Sequence, residues 1–201
     1  MMHPDTELRY IDDQIGYGVF ATAFIPKGTI VWALDPLDQI LEEEQVRQMI
    51  APMKKQVEKY SYRNQHGQYV LCWDLGRYIN HSFHANCIGT AYDLELAARD
   101  IFPGEQVTDD YGTLNVDAPF YCLPEPHASR QIVMPDDLLT FYREWDELAH
   151  EACKRFADVP QPLAPLVKPE FLEKMKQVAA GTARLDSVKI MYYDRKKGRS
   201  R

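Results

Sequence analysis

The chain has 201 residues, 45% hydrophobic and 26% charged, with a net charge of −7 at pH 7. This length allows one domain with an appendage or two small ones; no apolar run spans a membrane and Met1–Asp5 lacks a signal-peptide pattern, so the expected compartment is the cytoplasm. The four scattered cysteines, Cys72, Cys87, Cys122 and Cys153, exclude a disulfide framework, and the net +5 of residues 189–201 leaves −12 on the first 188, a body that repels nucleic acid and attracts a cationic protein segment.

Residues 8–34 alternate and turn repeatedly, with Pro26 and Gly28 marking a turn between short strands. Gly16, Gly18 and Ala21 fit a dinucleotide-binding spacing, but that fingerprint needs a long helix next, and Pro26 with Gly28 stops one; a glycine-opened strand whose backbone approaches a ligand is the better reading. Val46, Met49, Ile50, Met53, Val57 and Tyr60 recur at three and four, which predicts a helix over 36–60 that Pro52 kinks or splits. The whole insertion is set at about 36–66. Gln68–Trp73 reads as a strand, 77–87 as an ordered polar loop, 90–98 as a strand, and Val107-Thr108 as a short strand ending at Asp110-Tyr111-Gly112. Residues 113–135 read as loop. Asp136 is placed to cap a helix carrying Leu138, Tyr142, Trp145, Leu148, Ala149, Ala152 and Phe156 on one side. Pro160, Pro162 and Pro165 form a linker to a helix from about Pro169 to Ala180, which Gly181 stops. The basic residues of 194–201 read as a solvated, disordered tail.

Several constellations invite chemistry. His81, His84, Cys87, Cys72, Cys122 and His127 suggest a metal, but the cysteines never pair at ligand spacing, so no metal site is expected and Cys87 reads as a small buried hydrophobe. Ser82 beside His81 lacks the geometry of a nucleophile–base pair. Asp109 and Asp110 are strand neighbours on opposite faces and read as a solvated turn rather than an acid–base pair. Tyr111 ends a strand between two carboxylates and a glycine, an odd position for a core tyrosine; a phenol there can place one hydrogen bond in a pocket.

Three stretches together resemble the SET domain family of protein-lysine methyltransferases. They are Gly16-Tyr17-Gly18-Val19-Phe20-Ala21 with Ile25-Pro26-Lys27-Gly28; Arg77-Tyr78-Ile79-Asn80-His81-Ser82 with Asn86-Cys87; and Arg99-Asp100-Ile101 with Gly104-Glu105-Gln106-Val107-Thr108-Asp109-Asp110-Tyr111-Gly112. The resemblance implies a mainly β fold with α: small curved sheets, a helical insertion, and a pseudoknot in which the second and third motifs pass each other. It sets a SET domain at 8–122, a helical C-terminal extension at 123–193 and the tail beyond. It implies S-adenosylmethionine as cofactor, held by Gly16, Tyr17, Gly18, Tyr78, Asn80, His81, Tyr111 and Phe120, with Tyr111 catalytic. It makes Tyr69 and Tyr78 the candidate channel wall and a lysine-bearing protein the substrate. The zinc-binding cysteines that follow the domain in many relatives are reduced to Cys122, so the helix at 136–157 is the candidate for closing the channel. The apolar faces of the C-terminal helices offer a possible homodimer contact. The rival reading is a catalytically idle SET-like module that binds a protein partner.

Overall fold

The computed structural model describes residues 1–195. Its strands are short because glycine and proline turns punctuate them, so they gather into small sheets rather than one large one. The strands β1 (Thr6–Asp12) and β2 (Gly16–Ala21) form a hairpin. At its turn the Asp12 side chain accepts from the backbone N–H groups of Gln14 and Ile15, and Gly16 takes a φ of +86° that a side chain would strain. Next come β3 (Ile30–Ala33), β4 (Gln39–Leu41), helix α1 (Glu43–Arg47), helix α2 (Ala51–Tyr60), β5 (Ser61–Arg63) and β6 (Tyr69–Leu71). They are followed by β7 (Asn80–His81), β8 (Cys87–Gly89), β9 (Leu94–Ala97), β10 (Gln106–Asp109), β11 (Phe120–Tyr121), β12 (Ile132–Val133), α3 (Asp137–Cys153) and α4 (Pro169–Ala179).

One sheet has the order β1-β2-β10-β7, with β10 antiparallel to β2 and parallel to β7. This order sets the three sequence motifs side by side. A second sheet is β3-β9-β8, a third is β4-β6-β5, and β11 pairs with β12. Val19, Ala21, Ile25, Val31, Ala97, Ile101 and Val107 fill the core beneath the motifs.

The helix expected over 36–60, kinked or split at Pro52, is split, and it starts later than expected. Residues 39–41 pair with β6 as a strand, and the helical part is two pieces. Glu42 opens α1 with a capping box to Gln45. Pro52 lies in the first turn of α2, where its missing N–H costs no intrahelical bond, so it starts a helix rather than kinking one. Only Val46 and Val57 of the apolar series are fully buried, against Tyr69; Ile50 and Met53 face solvent. The expected strand at 90–98 shortens to 94–97, because Thr90–Asp93 turns the chain, with the Thr90 hydroxyl donating to the Leu94 carbonyl and Asp93 at φ 56°. Within 113–135 the β11–β12 pair replaces part of the expected loop.

The C-terminal helices fall near their expected bounds, and Gly181 at φ 73° ends the last one. Asp136 stands before α3, but its carboxylate accepts from the Tyr192 hydroxyl at 2.7 Å instead of capping. Leu138, Trp145, Ala149, Ala152 and Cys153 of α3 and Met175 and Val178 of α4 share one core with Ile30, Ala33, Ile88, Leu94 and Leu96. The extension is thus packed onto β8 and β9 as part of the same body. Its apolar faces are largely covered within the chain, with Leu139 and Leu148 of α3 left exposed. Residues 191–195 return to the β-rich half: Asn115 donates to the Met191 carbonyl at 2.7 Å, and Arg195 donates to the carbonyls of Asn115 and Val116. Of the tail expected at 194–201, residues 196–201 lie outside the described residues. No helix among the described residues is long and apolar enough to cross a membrane.

Candidate active site

The second and third motifs are tied together by Asn86. Its side chain donates to the Gln106 carbonyl at 2.7 Å and accepts from the Thr108 N–H at 2.9 Å, while its backbone carbonyl accepts from Ala98. A carboxamide can donate and accept at once, so one buried side chain links two separate backbone runs. Thr108 and Asp109 then run beside Asn80 and His81 in register.

Tyr111 closes this crossing. Its hydroxyl donates to the Ile79 carbonyl at 2.7 Å, and its backbone N–H donates to His81 Nδ1 at 3.2 Å. Burial, then the nearby Asp109 and Glu95 carboxylates, raise the phenol pKa above its ordinary value, so it stays a neutral donor. Because His81 Nδ1 accepts, the ring proton sits on Nε2, which is buried without a hydrogen-bond partner. Burial lowers the His81 pKa, and the neutral ring is wedged among Phe83, Tyr111 and Phe120.

Two neighbouring surfaces meet at this crossing. On one, Asn80 Nδ2 donates to the Tyr17 carbonyl at 3.0 Å, and Tyr17, 50% exposed, stands edge-on to the rings of Tyr10 and Tyr78. Gly18 fits here only without a side chain: a Cβ would lie 2.7 Å from Gln106 Nε2 and 3.0 Å from Asn80 Nδ2. The other surface is a cavity of about 570 Å³, lined by Trp32, Tyr60, Tyr62, Tyr69, Tyr111 and Phe120 among others. Tyr60 belongs to both, since its ring also meets Tyr78.

The acidic pair differs from expectation. Asp109 and Asp110 are 1% and 4% exposed, not a solvated turn. Asp110 forms an ion pair with Arg130, whose guanidinium also binds Asp137 at 3.1 Å and lies over the rings of Phe83 and Phe141. Asp109 instead lines the cavity together with Glu95. Burial raises the pKa of Glu95 to about 7, and burial followed by the Glu95 and Asp110 charges raises that of Asp109 well above the usual carboxylate range. Solvation of this stretch was the natural expectation because its partners, Arg130 and Glu95, are far away in sequence.

The expected site residues divide between the two surfaces. Gly16, Tyr17, Gly18, Tyr78, Asn80 and His81 gather around the β2–β7 side, while Tyr69, Tyr111 and Phe120 line the cavity. Tyr78 is not a cavity wall beside Tyr69; its ring packs on Tyr17 and Tyr60. Phe120 is 42% exposed and meets the His81 and Tyr111 rings at 6.0 and 5.5 Å. The helix expected to close the channel does not line the cavity; α3 packs on β8 and β9, and Leu114–Phe120 forms that wall. Ser82 binds Glu125 rather than His81, His84 contacts the Pro126 carbonyl, and the Cys87 thiol is buried. Sequence reasoning missed Glu95, Trp32, Tyr60 and Tyr62. Glu95 carried a signal: a lone carboxylate inside Leu94-Glu95-Leu96-Ala97, a strand buried on both faces.

Residues 16–112 match the SET domain family, and the chain therefore carries a SET domain over that span. Among solved structures, it is similar to the methyltransferase domain of human histone-lysine N-methyltransferase SETMAR, with 20% identity, a TM-score of 0.46, and coverage of 66% of this chain and 58% of that one. The chain thus spans less than two thirds of that domain's length. No curated protein matches the chain.

Proposed function

We propose that the chain is a protein-lysine N-methyltransferase that uses S-adenosylmethionine. The observation that carries this reading is the placement of Tyr111: its hydroxyl and its backbone N–H are both anchored on the second motif, at Ile79 and His81, and its ring lines the tyrosine-rich cavity. S-adenosylmethionine supplies an electrophilic methyl group when bound. The chain then needs no strong nucleophile of its own; it has to orient an amine and exclude water.

The residues present fit this cofactor. Gly18 has no room for a Cβ beside Gln106, Ile11 and Asn80, so bare backbone is kept there, and the buried His81 Nε2 and Arg77 Nε lack partners. In this reading Gly16, Tyr17 and Gly18 offer backbone, Asn80 and Arg77 take the amino-acid end, and His81 with Phe120 takes the adenine. Tyr78 shields the cofactor from the side of Tyr17. Tyr111 holds the amine in line by its hydroxyl, and Tyr69 helps wall the channel. A primary amine with an ordinary pKa near 10.4 must lose a proton before attack, and transfer from water into an aromatic cavity favours that loss.

The second reading, a SET-like module that binds a protein partner without catalysis, is favoured by Cys122, which stands free and alone where relatives carry zinc-binding cysteines. Calorimetric titration of the full chain with S-adenosylmethionine separates the two. Saturable binding that Asn80→Ala weakens at least tenfold supports the methyltransferase; a folded chain that binds none leaves the module.

A further inference from the structure

Trp32, Glu95 and Asp109 line the same cavity, and each has a buried polar atom without a hydrogen-bond partner among the described residues. These atoms are Asp109 Oδ1, Glu95 Oε2 and Trp32 Nε1. The other Asp109 oxygen has only a 3.4 Å contact from the Thr113 hydroxyl. The carboxylates come from different sheets: Asp109 ends β10 beside the crossing, while Glu95 sits in β9 opposite Trp32 of β3. No lysine or arginine among the described residues forms an ion pair with either.

Native interiors rarely leave polar groups orphaned, and two carboxylates buried together cost several kcal/mol unless a proton or a cation joins them. The other ionisable groups that face the pair do not pair with it: the Met1 ammonium, whose charge acts on Glu95, is bound to Asp35 at 2.9 Å. Tyr62, Tyr111, Cys72 and Cys87 are held protonated by burial, and Asp110 is occupied by Arg130. Arg77 lines the cavity without pairing with either carboxylate. The pair is therefore completed by a proton in the empty cavity or by a cation that enters it.

Resting on the lysine-methyltransferase reading, we propose that Asp109 and Glu95 form an anionic subsite that takes the ammonium head of the incoming lysine beside Tyr111. An aromatic cavity alone would accept any slim apolar chain. With the carboxylate pair it selects a chain that ends in a cation, and the tyrosine faces add cation–π attraction for the head. In the empty chain the pair retains a proton. Entry of the ammonium breaks that O–H bond, the proton passes to solvent, and the carboxylate left behind pairs with the nitrogen. The subsite thus recognises charge and length before any methyl transfer takes place.

The test uses butylammonium chloride as a lysine-head probe and butanol as its neutral counterpart, titrated calorimetrically into the full chain near pH 7 in two buffers of different ionisation heat. A five-atom ligand of ordinary efficiency has a Kd of about millimolar order. Expected are saturable binding of butylammonium but not butanol, proton release to the buffer, and at least tenfold weaker binding by Glu95→Gln and by Asp109→Asn. Circular dichroism of each variant confirms its fold, and either variant alone suffices if the other fails to fold. Equal binding of alcohol and amine, no saturation by the amine, or variants that bind as the parent does would each overturn the proposal. S-adenosylmethionine binding by the same samples keeps the two readings apart: its absence sinks the methyltransferase, whereas its retention with charge-blind amine binding sinks only the subsite.

Discussion

The Tyr111 hydroxyl donates to the Ile79 carbonyl at 2.7 Å, across 32 residues of sequence. That bond fixes the ring of the third motif on the backbone of the second, so the phenol's direction is decided by the chain crossing rather than by a flexible side chain. Tyr111→Phe keeps the ring and removes the bond. The expected result is a loss of about 1 kcal/mol in urea unfolding, S-adenosylmethionine affinity within a factor of about two, which corresponds to only ~0.4 kcal/mol, and loss of methyl transfer. Full transfer by the variant would remove Tyr111 from the catalytic role.

Asn86 holds the same crossing from the other side. Asn86→Ala deletes a donor to Gln106 and an acceptor for Thr108 and leaves both backbone groups unsatisfied. A loss of roughly 2–4 kcal/mol in unfolding free energy is expected. A change below about 0.5 kcal/mol, the range of an ordinary surface substitution, would mean that the crossing holds without its tie.

Gly18→Ala places a methyl group 2.8 Å from Ile11 Cδ1 as well as against Gln106 and Asn80. Overpacking of this kind costs roughly 1–3 kcal/mol. Because the displaced Asn80 also bonds Tyr17, S-adenosylmethionine binding is expected to weaken by more than the stability loss alone explains. Calorimetry of the folded variant checks this, and unchanged affinity would place the cofactor elsewhere.

Arg130 serves two buried carboxylates at once, Asp110 and Asp137. Arg130→Met preserves much of the apolar contact with Phe83 and Phe141 but leaves both acids without their cation. Breaking a buried pair from one side costs roughly 3–5 kcal/mol, so the variant is expected to unfold at much lower urea than the parent. A midpoint close to the parent's would show that water reaches these acids.

Glu95 predicts the direction of a pH effect. Its folded pKa, about 7, lies above the ordinary 4.5, so the folded state binds the proton more tightly than the unfolded one. Its contribution is therefore complete below pH 4.5 and is lost as pH rises through about 7. At 1.36 kcal/mol per pKa unit the full loss is roughly 3 kcal/mol. Glu95→Gln removes this dependence. Relative to the parent, the variant should gain stability between pH 5 and pH 8 in urea unfolding, and a parallel pH response of the two proteins would refute the assignment.

The motifs were readable because each concentrates special chemistry within a few residues. Gly16 and Gly18 mark a backbone that must turn and approach closely; Asn80, His81 and Asn86 crowd polar groups where no apolar period competes. The helices α3 and α4 were readable from their one-sided apolar spacing. The split of the helix at 36–60 was legible in Pro52, but the strand at 39–41 was not, and the three-and-four recurrence runs on through Ile50 and Met53, which face solvent. Asp109 and Asp110 were misread for a different reason. Their surroundings come from Arg130, Glu95 and the Tyr111 ring, and no local pattern reports that a strand end will be roofed over. The division of tyrosines followed the same rule: Tyr69 and Tyr78 are equally aromatic in sequence, and only the sheet geometry sends one to the cavity and the other to Tyr17.

The attachment of residues 191–195 to Asn115 and Val116 governs when the site comes into being. Those two residues belong to the cavity wall, yet their anchors lie about eighty positions later in the chain. The wall that the motifs face is therefore unmoored without Arg195, just as β3, β8 and β9 lack half of their core without α3 and α4. Such long-range closure comes late in folding, after the local turns and helices have formed. The cavity is thus a property of the whole described chain: its rim at Asn115 and Val116 is complete only where residues 191–195 come back to it.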